Sequence, residues 1–313
     1  MKKRKKVILD TDIGNDIDDS FALGLLLTLE NVDIKLISTC FQDTEYRARV
    51  VAKTLTNLSR TDIPIAIGYN NLQEAGSSLQ RYVEDFSWDD YSGEVYQDGI
   101  EAIVDCIKQS EEKITIISIG AATNLVKVLE RYPEAQYKSE IIGMYGSVRK
   151  GYIGSDKPCP EANVYVDLDS FEKLMQSEWE ITMVPLDACR EFIIDGDNYQ
   201  KMKHSKNPLC RTVLEQYEIW QTDYSGGARK FDVEESTSIL FDIPPVLYLY
   251  NQDWFEKEEL YIKVTKDKMT VEDEDGRMCT VLTDIQSDGE LETFVVDRFL
   301  SYLSSTREEM KVS

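Results

Sequence analysis

Histidine is almost absent: His204 is the only one in 313 residues. That excludes a His-rich zinc site and makes a histidine-dependent catalytic triad a poor fit. Basic residues are also scarce, Lys+Arg 35 against Asp+Glu 58, for a net charge of −23. So acidic a chain argues against nucleic acid or an anionic membrane as the main partner. The one basic cluster, "KKRKK" at Lys2 to Lys6, runs straight into the first strand and reads as its solvated lead-in. No apolar run approaches the length that crosses a membrane, and "VIL" is too short for a signal-peptide core. Six cysteines (Cys40, Cys106, Cys159, Cys189, Cys210, Cys279) lie scattered, without a CxxC or any metal-ligand spacing. The expectation is a reduced, intracellular, cytoplasmic protein with no nucleic-acid or membrane partner.

What is present is an ordinary globular composition, 42% hydrophobic and 30% charged, in a chain long enough to bury a sizeable core. Short β-rich runs ("KVILD", "VDIKLISTC", "IPIAIG", "KITIISIG", "SEIIGMYGS", "EITMVPLD") alternate with helical patterns such as "DSFALGLLLTLE", "EYRARVVAKTLTNLS" and "TNLVKVLERYP". The alternation predicts an α/β fold with a mostly parallel central sheet and helices on both faces. From Glu258 the pattern changes to "ELYIKVTK" and "MCTVLTD" around the acidic turn "EDEDG", then a closing helix. With no linker in between, residues 1–313 read as one domain carrying a small C-terminal β segment. In such sheets ligands bind beyond the carboxyl ends of the strands.

The first of those ends is "VILDTDIGNDIDDSFAL", with Asp10, Asp12, Asp16, Asp18 and Asp19 between two apolar runs. Gly14 lets the chain turn, and Asp18 or Asp19 is placed to cap the following helix. A helix N-terminus accommodates one or two carboxylates, but neighbouring like charges raise each other's pKa values. A solvated acidic turn is the plain alternative. A hard cation resolves the conflict better, and oxygen-only donors select Ca²⁺ or Mg²⁺ over zinc. An EF-hand fails, because its loop needs Gly where Asn15 stands and Glu where Phe21 stands. A haloacid-dehalogenase-type phosphatase also begins with a strand and DxD, but expects Thr or Val where this chain has Gly14.

"ILDTDIGNDIDDSFAL" resembles the N-terminal motif of the nucleoside hydrolase family of the inosine–uridine-preferring type, DTDxGxDDxxAL, with two extra residues before the paired aspartates. Five further blocks follow in the family's order: "ITIISIGAATNLVKVLERYPE", "IIGMYGS", "PEANVYVDLDSFEKLM", "ITMVPLD" and "SILFDIPPVLYLY". The resemblance implies one Ca²⁺ held by Asp12, Asp19, the Ile119 carbonyl and Asp242. It makes Asp12 the general base on the calcium-bound water. It puts Asp18, Glu161 and Asn163 on ribose, Ser155 near the 5′ hydroxyl, and Asp10 behind the ligands as a positioning carboxylate. It also implies hydrolysis of an N-glycosidic bond in a small-molecule nucleoside, and a homo-oligomer, dimer or tetramer. Taken without the resemblance, Asp242 can equally cap a helix, and Glu161 and Asn163 can be turn residues.

This chain departs from the family pattern at the leaving-group position. Phe241 stands where a histidine is usual, Ser155 where Asn is common, and Asp16 in the inserted loop has no assigned role. Purine-preferring relatives lack that histidine, carry Asp at the position of Asp43 and stack the base between aromatic rings. Asp43 and the stretch "DFSWDDYSGEVY" therefore make purines the expected substrates, with Trp88 and Tyr91 as stacking residues and Trp220 with Tyr224 as a second aromatic pair. Each of these rings can equally be a core or surface aromatic. Two rival functions stay open at this point: a DxD-type metal-dependent phosphatase and a non-catalytic riboside-binding member of the family.

Overall fold

The computed structural model describes residues 4–70, 77–223, 231–286 and 289–303. Ten strands form one sheet: β1 (Lys5–Thr11), β2 (Val32–Thr39), β3 (Ile65–Ile67), β4 (Val95–Tyr96), β5 (Ile114–Ser118), β6 (Ser139–Gly143), β7 (Glu180–Met183), β8 (Phe255–Val264), β9 (Thr270–Glu272) and β10 (Arg277–Ile285). Their order across the sheet is β4-β3-β2-β1-β5-β6-β7-β10-β8-β9. All pairings from β4 to β10 are parallel, and only β10–β8 and β8–β9 are antiparallel. The small C-terminal β segment is there, and it joins the main sheet because β10 pairs directly with β7. Its short strand β9 and the two-residue β4 are too brief to leave a periodic trace in the sequence.

Both faces of the sheet are covered, as the apolar strands demand. Along β1 the side chains alternate, Val7 and Leu9 entering one core and Ile8 the other. The first core takes the helices Asp18–Thr28, Thr44–Asn57, Pro208–Asp223, Ile243–Tyr250 and Glu290–Leu300; the second takes Gly99–Gln109, Thr123–Arg131 and Leu168–Gln176. Helix Asp18–Thr28 is buried along nearly its whole length, which accounts for its lack of a polar face. Among the described residues, no helix is long and apolar enough to cross a membrane.

Candidate active site

β1 runs between β2 and β5 at the centre of the sheet, so its carboxyl end opens where loops from both sides converge. The turn after it needs glycine. Gly14 has φ of +106°, and a Cβ there would lie 2.9 Å from the Tyr46 ring. The Tyr46 hydroxyl in turn donates to the Gly14 carbonyl at 2.9 Å. Helix Asp18–Thr28 follows, but neither Asp18 nor Asp19 caps it. Ile17 holds the N-cap position, and its side chain makes no capping bond. The paired carboxylates are in the first turn, where they face a cavity of about 600 Å³.

Asp12, Asp16, Asp18, Asp19, Ile119, Glu161, Asn163, Phe241 and Asp242 all line that cavity. One carboxylate oxygen each from Asp18, Asp19 and Asp242 lies within 4.8 Å of the others. Asp12 does not join this tightest group, although the resemblance pairs it with Asp19 and Asp242. Asp242 occupies the N-cap position of helix Ile243–Tyr250 but makes no capping bond, so its carboxylate is left to the cavity. Burial raises the pKa values of Asp18, Asp19 and Asp242 well above the ordinary range, and their mutual charge adds to it. Asp16 is pushed up to about 6, again chiefly by burial, while its Oδ1 accepts from the Ile17 amide at 2.7 Å. A buried set of oxygen-only donors that repel one another fits a hard divalent cation, which would relieve the repulsion.

The supporting residues are fixed by the neighbouring strands. Asp10 is fully buried; its Oδ1 accepts from the Ser38 hydroxyl on β2 and from Asn124 Nδ2 at 2.8 Å. Burial lifts its pKa to about 6 despite those bonds. Gly120 lets the turn after β5 pass close by, since a Cβ there would sit 2.6 Å from Cys40 Sγ and 2.9 Å from Asp12 Oδ1. Glu161 caps the helix Ala162–Val166, accepting from the amides of Asn163 at 2.7 Å and Val164 at 3.3 Å, and also from Gly146 at 2.9 Å. Burial still raises its pKa to about 7. Asn163 Nδ2 donates to the Met144 carbonyl at 3.0 Å and reaches the Ile119 carbonyl at 3.5 Å.

Four expected residues are not brought to the cavity. Asp43 is spent on capping helix Thr44–Asn57, accepting from the Tyr46 amide at 3.0 Å. Ser155 closes its own turn through the backbone of Lys157. Trp88 packs edge-on against Phe86, with ring centroids 6.2 Å apart, and the buried Tyr91 donates its hydroxyl to the Ile63 carbonyl. Tyr91 is core, and the half-buried Trp88 packs against it. Tyr224 lies outside the described residues, and His204 is exposed. The aromatic wall comes instead from Tyr152, Phe231, Phe241 and Trp220. Tyr152 meets Phe241 edge-to-face, with centroids 5.8 Å apart. Trp220 stacks on Tyr217, and its Nε1 donates to the Asn15 carbonyl of the inserted loop at 3.1 Å.

Arg47 escaped the sequence reading altogether. It is completely buried beneath the cavity, with Nη2 3.9 Å from Asp12 Oδ2, and its charge opposes the rise in the Asp12 pKa that burial causes. The available signal was its place on the apolar stripe of "EYRARVVAKTL", where Val50, Val51, Thr54 and Leu55 are all buried.

Fold and site together define an α/β protein with a carboxylate-lined cavity at the carboxyl edge of a parallel sheet. Residues 7–296 match the family model described as inosine-uridine preferring nucleoside hydrolase, and the chain belongs to that family. The pyrimidine-specific ribonucleoside hydrolase RihA of Escherichia coli is 28% identical over 269 residues, covering 79% of this chain and 82% of the relative. Among solved structures, a plant nucleoside hydrolase superposes with a TM-score of 0.78 at 18% identity, over 95% of this chain and 99% of the other. The purine-preferring ribonucleoside hydrolase of Gardnerella vaginalis gives 0.76 at 16% identity, over 95% and 98%.

Proposed function

We propose that this chain is a Ca²⁺-dependent hydrolase that cleaves the N-glycosidic bond of ribonucleosides to free base and ribose. The observation that carries the reading is the convergence of Asp12, Asp18, Asp19 and Asp242 on one cavity that also has an aromatic wall. Asp12, Asp19, Asp242 and the Ile119 carbonyl would hold the cation, with Asp18 beside them toward the ribose. When bound, the cation neutralises the carboxylates, acidifies a water and grips a vicinal diol.

In the reaction the C1′–N bond breaks with its electron pair going to the base, and a water oxygen forms the new bond to C1′. Asp12 takes the water proton, and the departing base takes up a proton to leave as the free base. Positive charge builds on the ribose as the bond breaks, and the surrounding carboxylates stabilise it. Glu161 and Asn163, tied to the Gly146 and Met144 backbone, supply pre-set polar contacts for the sugar. Trp220, Phe241 and Tyr152 take the stacking role that Trp88 and Tyr91 do not reach, and their area favours a purine.

A panel of purine and pyrimidine nucleosides, assayed for reducing sugar in calcium and in chelator, tests the reading. The expected result is calcium-dependent ribose release, faster with purines. Phosphate release from phosphomonoesters would instead support a phosphatase, and binding of ribosides without cleavage a non-catalytic member. The same reading carries a cytoplasmic homo-oligomer, which fractionation and light scattering check.

A further inference from the structure

At the end of β2, Phe41 and Gln42 both adopt left-handed backbone conformations, with φ of 64° and 59°. Two successive non-glycine residues in that region are strained, and they persist only where the surroundings hold them. Arg47 supplies the hold. Its Nε donates to the Phe41 carbonyl at 2.8 Å and its Nη2 reaches Gln42 Oε1 at 3.5 Å. The other side of the same guanidinium engages the turn after β1. There Nη1 donates to the carbonyls of Asp12 and, at 3.0 Å, Ile13, and Nη2 faces the Asp12 carboxylate at 3.9 Å. One planar fork thus bridges two loops, and every acceptor on one of them belongs to Asp12 or its neighbour.

An arginine with no exposed surface carries a large desolvation cost unless anions and carbonyls surround it. Here the carbonyls of Phe41, Asp12 and Ile13 and the Asp12 carboxylate supply that compensation, and the acidic cavity gains a fixed positive charge in return. Arg47 is therefore a resident counter-cation for a site whose second cation comes from solution. Five aspartates line the cavity, and among the described residues no Lys, Arg or His lines it with them.

We propose that Arg47 is the positioning residue for Asp12: its guanidinium fixes the orientation of that carboxylate and keeps the acidic cavity folded before the divalent cation binds. The inference rests on the hydrolase reading for the role of Asp12 but not for the counter-cation role. A lysine at this position would keep the charge and lose the fork; a methionine would lose both.

The test compares wild type, Arg47→Lys and Arg47→Met by thermal unfolding in chelator and in excess CaCl₂, and by kcat and KM on the best nucleoside of the panel. Arg47→Met is expected to unfold about 10 °C lower in chelator, with calcium recovering more of the loss than it adds to wild type. Arg47→Lys is expected to recover much of the chelator midpoint. Its kcat should nonetheless stay about 100-fold down while KM moves little, because a single ammonium cannot bridge both loops. Wild-type kcat in Arg47→Lys would overturn the positioning role, and this variant carries the test if Arg47→Met does not fold. An equal loss of midpoint in chelator and in calcium would overturn the counter-cation role. Absence of nucleoside cleavage by wild type would instead sink the hydrolase reading, and the unfolding comparison would still decide whether Arg47 compensates the cavity.

Discussion

Two cavities of similar size flank the sheet, about 600 Å³ at the carboxyl ends of its strands and about 570 Å³ along helix Gly99–Gln109. Size does not distinguish them; the state of their charges does. Along that helix Lys6 and Lys35 stand with Asp98, Glu101 and Asp105, so both signs are present in solvent. Asp98 is the N-cap of helix Gly99–Gln109, and its pKa is held low by the Glu101 amide and Arg131. At the carboxyl end the aspartates are enclosed and their pKa values are driven up. Solvated charges of both signs balance one another, whereas buried charges of one sign need a counter-cation.

The comparison breaks most easily at Asp12. Asp12→Ala should lower nucleoside cleavage by about 10³-fold or more while circular dichroism shows the fold retained. A fully active variant would remove Asp12 from the chemistry. Next in size is Gly120→Ala, whose new Cβ would meet Cys40 Sγ at 2.6 Å and Asp12 Oδ1 at 2.9 Å. Displacing that carboxylate should lower kcat by about 10- to 100-fold. An unchanged kcat would mean that Asp12 tolerates a shift.

A titration sharpens the contrast further. Glu161 and Asp10 have pKa values raised to about 7 and about 6. The folded protein therefore keeps protons that the unfolded chain has already released above the ordinary carboxylate range. Stability of the chelated protein should then fall as pH rises from about 4.5 to about 7. Denaturant midpoints across that window check this, and a rise in midpoint would contradict the burial of these two carboxyls. The smallest effect belongs to the cavity along helix Gly99–Gln109. Asp98→Ala removes a cap that accepts from the Glu101 amide at 3.0 Å, so it should cost about 1 kcal/mol of stability and leave kcat and KM as they were. A loss of activity there would make this second cavity part of the function.

Much of this was legible in the residues themselves. Strand–helix alternation foretold a parallel sheet clad on both faces, and the spacing of Asp12, Asp18 and Asp19 marked the cavity. These features were readable because they are local: a strand end, a glycine turn and a helix start fall within one short stretch. Asp43 misled for the same reason in reverse. A residue that caps its own helix looks, in sequence, like one that faces a ligand. Tyr91 is a ring buried in the core and Trp88 one packed against it, and no local pattern announces either placement.

By itself, then, the sequence determined the chemistry available: oxygen donors in excess, one histidine out of reach, and apolar strands that must be covered. Only the tertiary structure decided which donors meet. Asp242 reaches Asp18 and Asp19 because the helix it precedes packs onto helix Asp18–Thr28. Arg47 reaches Asp12 because β2 lies in register beside β1. Contacts between residues far apart in the chain are set by strand order and helix packing, and neither is written in the spacing of any one segment.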